Sequence, residues 1–180
     1  IGKIGQALDF DGVDDYVNAG SATNIDDINA FTYTAWIYPR SIGENSEGHI
    51  VSKRDVNTGD GKEFDTDALI VSRSLRLDVD RATTDANAVA VASSITFNTW
   101  QFVVGTYSST DGPRIYINTD EVSYNSRTVG SGSEITEANG SFIIGNKSND
   151  ASTFDGIIDD MRIYNRVLST DEIKRLYNMG

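Results

Sequence analysis

Residues 7–17 read Ala-Leu-Asp-Phe-Asp-Gly-Val-Asp-Asp-Tyr-Val, and residues 154–173 read Phe-Asp-Gly-Ile-Ile-Asp-Asp-Met-Arg-Ile-Tyr-Asn-Arg-Val-Leu-Ser-Thr-Asp-Glu-Ile. In each, apolar residues alternate with carboxylates beside a tight glycine turn. That is the pattern of a strand with one buried face. Together they read as neighbouring strands of one antiparallel sheet whose acidic ends meet around a hard cation.

Period-2 alternation continues between them. Phe31-Thr-Tyr-Thr-Ala-Trp-Ile-Tyr38 stops at Pro39, which has no N–H to give a ladder. Strands are expected at 68–71, 75–79, 100–107, 114–118 and 141–145, about eleven in all. Ser-Thr-Asp-Gly-Pro at 109–113 supplies a hairpin turn, and Asn139-Gly140 another. Residues 55–67 and 125–140 read as polar glycine-containing loops. One helix is expected, opening at Ser169-Thr-Asp-Glu172, a capping box, with Ile173, Leu176 and Tyr177 packed on the sandwich edge. The fold class is therefore all-β: a two-sheet antiparallel β-sandwich with one short C-terminal helix, a single domain spanning 1–180.

The ordered set Phe31-Thr-x-x-Ala-Trp-Ile, Trp100-x-Phe-Val-Val-Gly-Thr-Tyr, Ile115-Tyr-Ile-Asn, Ile143-Ile-Gly and the terminal Gly-x-Ile-Asp-Asp-x-Arg-Ile-Tyr-Asn-Arg-x-Leu-Ser resembles the laminin-G-like (concanavalin-A-like) jelly roll. The resemblance covers nearly the whole chain. It implies a fold that hosts lectins, adhesion modules and hydrolases alike.

The 180 residues carry 27 acidic and 15 basic side chains, a net charge of −12. That balance argues against nucleic acid or an anionic membrane as partner, since both need a basic face. There are no cysteines and one histidine, His49, so thiol chemistry, a histidine relay and a multi-histidine zinc site are excluded. Zinc would need carboxylates as its remaining ligands. His49 itself reads as a loop or strand-start residue with no special role. No stretch approaches the length of a membrane span. We expect a module of a longer extracellular or cell-surface protein, beside neighbouring domains.

By its resemblance the chain implies one structural calcium at the sandwich edge, with Asp159 as side-chain ligand, Asp11 as second choice and a backbone carbonyl from Gly12. Period 2 supports Asp159: if Met161 and Ile163 face the core, Asp159 shares their side, and an inward carboxylate needs a partner. The alternative is that it caps backbone amides or pairs with Arg162 or Arg166. Asp14, Asp15 and Asp160 read as turn and surface carboxylates. The 55–61 loop fails as an EF-hand, with glycine at its fifth position where a ligand belongs.

Laminarinases and lichenases of this architecture use a Glu-x-Asp-x-Glu strand. The nearest match is Glu63-Phe-Asp65-Thr-Asp67, read here as an acidic loop leading into strand 68–72. No Gly-x-Ser-x-Gly elbow and no phosphate-binding loop exist. The expected function is non-catalytic recognition of a polysaccharide or glycan. Alternation turns Trp36, Tyr38, Arg76, Tyr116 and Asn118 away from the core as candidate stacking and hydroxyl-reading groups. The alternatives are an adhesion or structural module that binds protein, and a β-glucan hydrolase.

Overall fold

The computed structural model describes residues 1–67, 72–147 and 152–180. The strand expected at 68–71 lies outside them. In chain order the strands are β1 (Leu8–Asp11), β2 (Val17–Asn18), β3 (Ala30–Pro39), β4 (Glu47–Arg54), β5 (Gly61–Asp67), β6 (Ser74–Val79), β7 (Ala86–Ala90), β8 (Gln101–Ser108), β9 (Arg114–Ile117), β10 (Asp120–Glu121), β11 (Tyr124–Thr128), β12 (Phe142–Ile144) and β13 (Asp155–Tyr164), followed by helix α1 (Thr170–Tyr177). They form two antiparallel sheets: a six-stranded one in the order β1-β13-β3-β8-β9-β10 and a seven-stranded one in the order β11-β7-β6-β5-β4-β12-β2. The first and last long segments are neighbours as read, with Leu8 opposite Ile158 and Asp11 opposite Asp155.

Alternation builds the core between the sheets. Phe31, Tyr33, Ala35 and Ile37 of β3 meet Phe64 of β5, Leu75, Leu77 and Val79 of β6 and the three alanines of β7. The β8–β9 hairpin turns at Gly112, whose φ of 72° is the left-handed conformation the Asp-Gly pair announces. Gly145, after β12, has φ 82°, and a Cβ there would lie 2.0 Å from the Phe10 ring, so the close approach of β1 requires glycine.

Two segments read as loops are strands. Residues 61–67 form β5, at the centre of the seven-stranded sheet, and 124–128 form β11 at its edge. A central strand loaded with carboxylates has the composition of a solvated loop, which hid it.

The pairings of β4, β11 and β13 each carry a register shift, and those in β4 and β13 redirect side chains. In β4, His49 opposes Asp65 while Val51 opposes Phe64, so Ile50 is the extra residue. In β13, Asp159 opposes Trp36 while Arg162 opposes Thr34, and Asp160 there has φ 49°. Period 2 therefore fails between Asp159 and Ile163. Asp159 faces outward with Trp36 rather than inward with Met161.

Helix α1 begins with the expected reciprocal cap between Ser169 and Glu172. Arg166, with the Ser169 cap, holds the Glu172 carboxyl at about 2. The helix packs on the outer face of the six-stranded sheet, not on the sandwich edge: Ile173 and Leu168 are buried against Trp36, Phe102, Val104 and Tyr116.

Candidate functional site on the outer face of the seven-stranded sheet

The β4 bulge keeps Glu47, His49, Ser52 and Arg54 on the side of the sheet away from the core. The unbroken alternation of β5 places Glu63, Asp65 and Asp67 beside them, and β6 adds Arg76 and Asp78. The result is a nearly continuous polar face. His49 donates from Nε2 to Glu63 Oε1 at 2.9 Å, since a carboxylate can only accept. Arg54 pairs with the other Glu63 oxygen. Arg76 binds Glu47, reaches Asp65 at 3.2 Å and Asp78 at 2.8 Å. Ser152 donates to Glu47 at 3.1 Å, and Lys147 lies 3.6 Å from Glu47 and 3.7 Å from Glu63. Asn87 of β7 donates to Asp78.

These environments push the carboxyls apart. Burial works against the charge of Glu63, but the His49 hydrogen bond and Arg54 hold its carboxyl well below the usual range. Burial raises Asp65 well above that range, with Arg76 opposing it. Burial likewise raises Asp78. Solvent reaches this face through Asp78, Arg54 and Lys147, whose side chains are 24%, 21% and 21% exposed.

Tyr116, Arg76 and Asn118, expected to read a sugar together if their strands were neighbours, do not come together. Arg76 belongs to the seven-stranded sheet, while Tyr116 belongs to the six-stranded one, as does Trp36, and Asn118 follows Tyr116's strand. Alternation correctly turns Trp36 and Tyr116 out of the inter-sheet core, but the helix covers them. Trp36 stacks on Tyr177 at 5.3 Å and carries the Lys3 ammonium 4.5 Å from its ring centroid. Asn118, in the β9–β10 turn, accepts a hydrogen bond from Phe102 N at 2.9 Å. Tyr38 remains half-buried, edge-on to Trp100 at 5.6 Å.

The implied calcium set does not fit one ion. Asp11 opposes Asp155, and Asp159 lies four strand positions further on, roughly 13 Å at the usual rise. That is a backbone spacing, and two aspartate side chains do not span it closely enough for each to stand about 2.3–2.6 Å from one ion. Asp159 instead accepts from Ile4 N at 2.6 Å and Asp160 N at 2.8 Å, the amide-capping alternative. Asp11 and Gly12 sit in an exposed turn with Asp14 and Asp15, where Asp11 Oδ1 accepts from Val13 N. Where the acidic strand ends meet, Arg40 supplies the cation: it binds Asp9 at 2.6 Å, Asp155 at 3.0 Å and the Phe10 carbonyl at 2.7 Å.

Sequence reasoning gave His49 no special role and did not single out Glu47. The only signal was their alternate spacing in 47–49, which the bulge at Ile50 interrupts.

A family model described as the concanavalin A-like lectin/glucanases superfamily matches residues 11–174. No curated protein matches the chain. Among solved structures, the binding domain of Paraclostridial mosquitocidal protein 1 superposes with a TM-score of 0.69 at 17% identity, over 97% of this chain and 45% of that one. A structure concerning cell entry of botulinum neurotoxin type C, dependent on interaction with two ganglioside molecules, gives 0.64 at 17%, over 91% and 39%. A putative carbohydrate-binding protein from Bacteroides ovatus gives 0.64 at 16%, over 94% and 46%. The chain thus spans less than half the length of these three.

Proposed function

From the premise that this chain belongs to the concanavalin A-like lectin/glucanases superfamily, we propose that it is a non-catalytic module that binds a polysaccharide or glycan on the outer face of its seven-stranded sheet. The observation that carries the reading is the row of solvent-reaching charged side chains there. Arg54, Asp78 and Lys147 offer donors and acceptors there, held in place by ion pairs, with Arg76 behind Asp78. Fixed bidentate groups of this kind read pairs of ring hydroxyls without first being ordered. Likeness to a putative carbohydrate-binding protein, and to botulinum neurotoxin type C, whose cell entry depends on interaction with two ganglioside molecules, supports this class of ligand. A shallow site of this sort binds a short glycan weakly, at roughly μM–mM. An extracellular or cell-surface setting, beside neighbouring domains, goes with the reading.

Affinity electrophoresis against a panel of soluble polysaccharides and sialylated glycans tests it. One or two polymers should retard the protein, and Asp78→Ala with Lys147→Ala should release it. A folded protein retarded by none would transfer the reading to a protein-binding or spacer module.

Hydrolysis is the second reading, favoured by the divergent Glu63 and Asp65 carboxyls on one mid-sheet strand. Against it, Asp65 is fully buried and both groups are engaged in ion pairs. It would appear as reducing-sugar release from β-glucan that Glu63→Gln abolishes.

A further inference from the structure

The same face holds a cluster that glycan recognition does not use. Glu47, His49 and Asp65 each offer a ligand atom, all within 4.8 Å of one another, and all three residues are buried. Two buried atoms there have no hydrogen-bond partner among the described residues: His49 Nδ1 and Asp65 Oδ1. His49 and Asp65 are both 0% exposed. An orphaned imidazole nitrogen and an orphaned carboxylate oxygen, on two wholly buried residues paired across β4 and β5, are costly unless something joins them.

Glu63 holds His49 by Nε2, which fixes the ring and leaves the Nδ1 lone pair free. A carboxylate on the far side of a ligating imidazole is the usual support for a metal-bound histidine. Ser152 similarly orients Glu47. Acidic side chains also outnumber basic ones on this face, Glu47, Glu63, Asp65, Asp67 and Asp78 against Arg54, Arg76 and Lys147.

We propose that Glu47, His49 and Asp65 bind a divalent first-row transition-metal ion of the zinc class. The mixed nitrogen and oxygen donors suit such an ion and disfavour calcium, which takes oxygen alone. Arg76 stays on Asp65 Oδ2 and Glu47 Oε1 as an outer support. Three protein ligands leave a coordination position open, as in sites where a metal meets an external oxygen.

The test uses the whole chain, labelled with nitrogen-15. His49 is the only histidine, so the imidazole resonances need no assignment. Zinc chloride should shift them to saturation at one equivalent, and calcium chloride should leave them unmoved. Cobalt(II) should give visible absorption bands that zinc abolishes, a readout needing no variant. Asp65→Asn, which keeps the side chain's size, should weaken zinc binding at least tenfold, and Glu63→Gln by about 10–100-fold. Zinc that saturates the protein without moving the imidazole resonances would place it elsewhere, at the exposed Asp11–Asp15 turn, and overturn the proposal. So would zinc binding that Asp65→Asn leaves unchanged.

Discussion

Truncating Ile173 to alanine separates two roles for the aromatic residues beneath the helix. Ile173 is wholly buried, in a small second core with Trp36, Phe102, Val104, Tyr116 and Leu168. The helix is only eight residues long, too short to persist in water without tertiary packing. Removing the branched side chain leaves a cavity between helix and sheet, and such truncations cost about 2–5 kcal/mol. For a domain of this size each kcal/mol moves Tm by about 2–4 °C, so the transition should fall by roughly 4–20 °C. Urea titration followed by tryptophan emission is the assay, because the Tyr177 ring stacked on Trp36 shields it from water. Ile173→Ala should lower the midpoint and leave polysaccharide binding per folded molecule unchanged. A near-neutral Ile173→Ala, paired with a Trp36→Ala that abolishes glycan binding at unaltered stability, would refute the packing argument. Trp36 would then be a ligand-stacking residue with a removable cover.

Acid stability should depend on Glu63. Its carboxyl lies below its ordinary value of 4.5 in the folded protein, so the unfolded chain takes up the proton first as pH falls. The stabilisation is complete above about pH 4.5 and is lost as acid is added through the folded value. Glu63→Gln should therefore flatten the acid limb of a Tm-against-pH curve, and an unaltered limb would contradict the ion-pair assignment. Asp159→Asn should cost about 1.5–3 kcal/mol by weakening its two charge-assisted bonds to backbone amides. The loss should be equal in calcium and in chelator, and a loss seen only with calcium would restore a metal role to Asp159.

The fold was legible because alternation, turn chemistry and a capping box are local signals that agree with one another. Leu75-Arg-Leu-Asp-Val79 showed its core side and its outer side without knowledge of any neighbour. The site was less legible for two physical reasons. A strand such as Glu63-Phe-Asp65-Thr-Asp67 looks solvated when its polar side is buried by tertiary ion pairs, and those partners, Arg54, Arg76 and His49, are brought in by pairing register alone. Alternation also says which way a side chain turns, not whether something covers it. Trp36 and Tyr116 were placed on the correct side of their strands, yet the chain's own last helix occupies the space where a sugar was expected.

The two bulges are where local reading and fold diverge most, and they have a common effect. Each inserts one residue so that polar side chains on either side of it share a face that strict period 2 would divide. In β4, Ile50 and Val51 both enter the core, which lets Glu47 and His49 stand on the same outer face as Ser52 and Arg54. In β13, Asp160 takes up the positive φ, and Asp159 is left outside to cap the chain's first residues at Ile4. A one-residue slip in β4 would send His49 into the apolar core and Ile50 among the carboxylates. Ile50 on the core side therefore stabilises the fold and at the same time sets the position of the only imidazole in the molecule. The cluster of Glu47, His49 and Asp65 is thus tied to the register of the sheet, and a variant that disturbs packing at Ile50 would disturb the cluster with it.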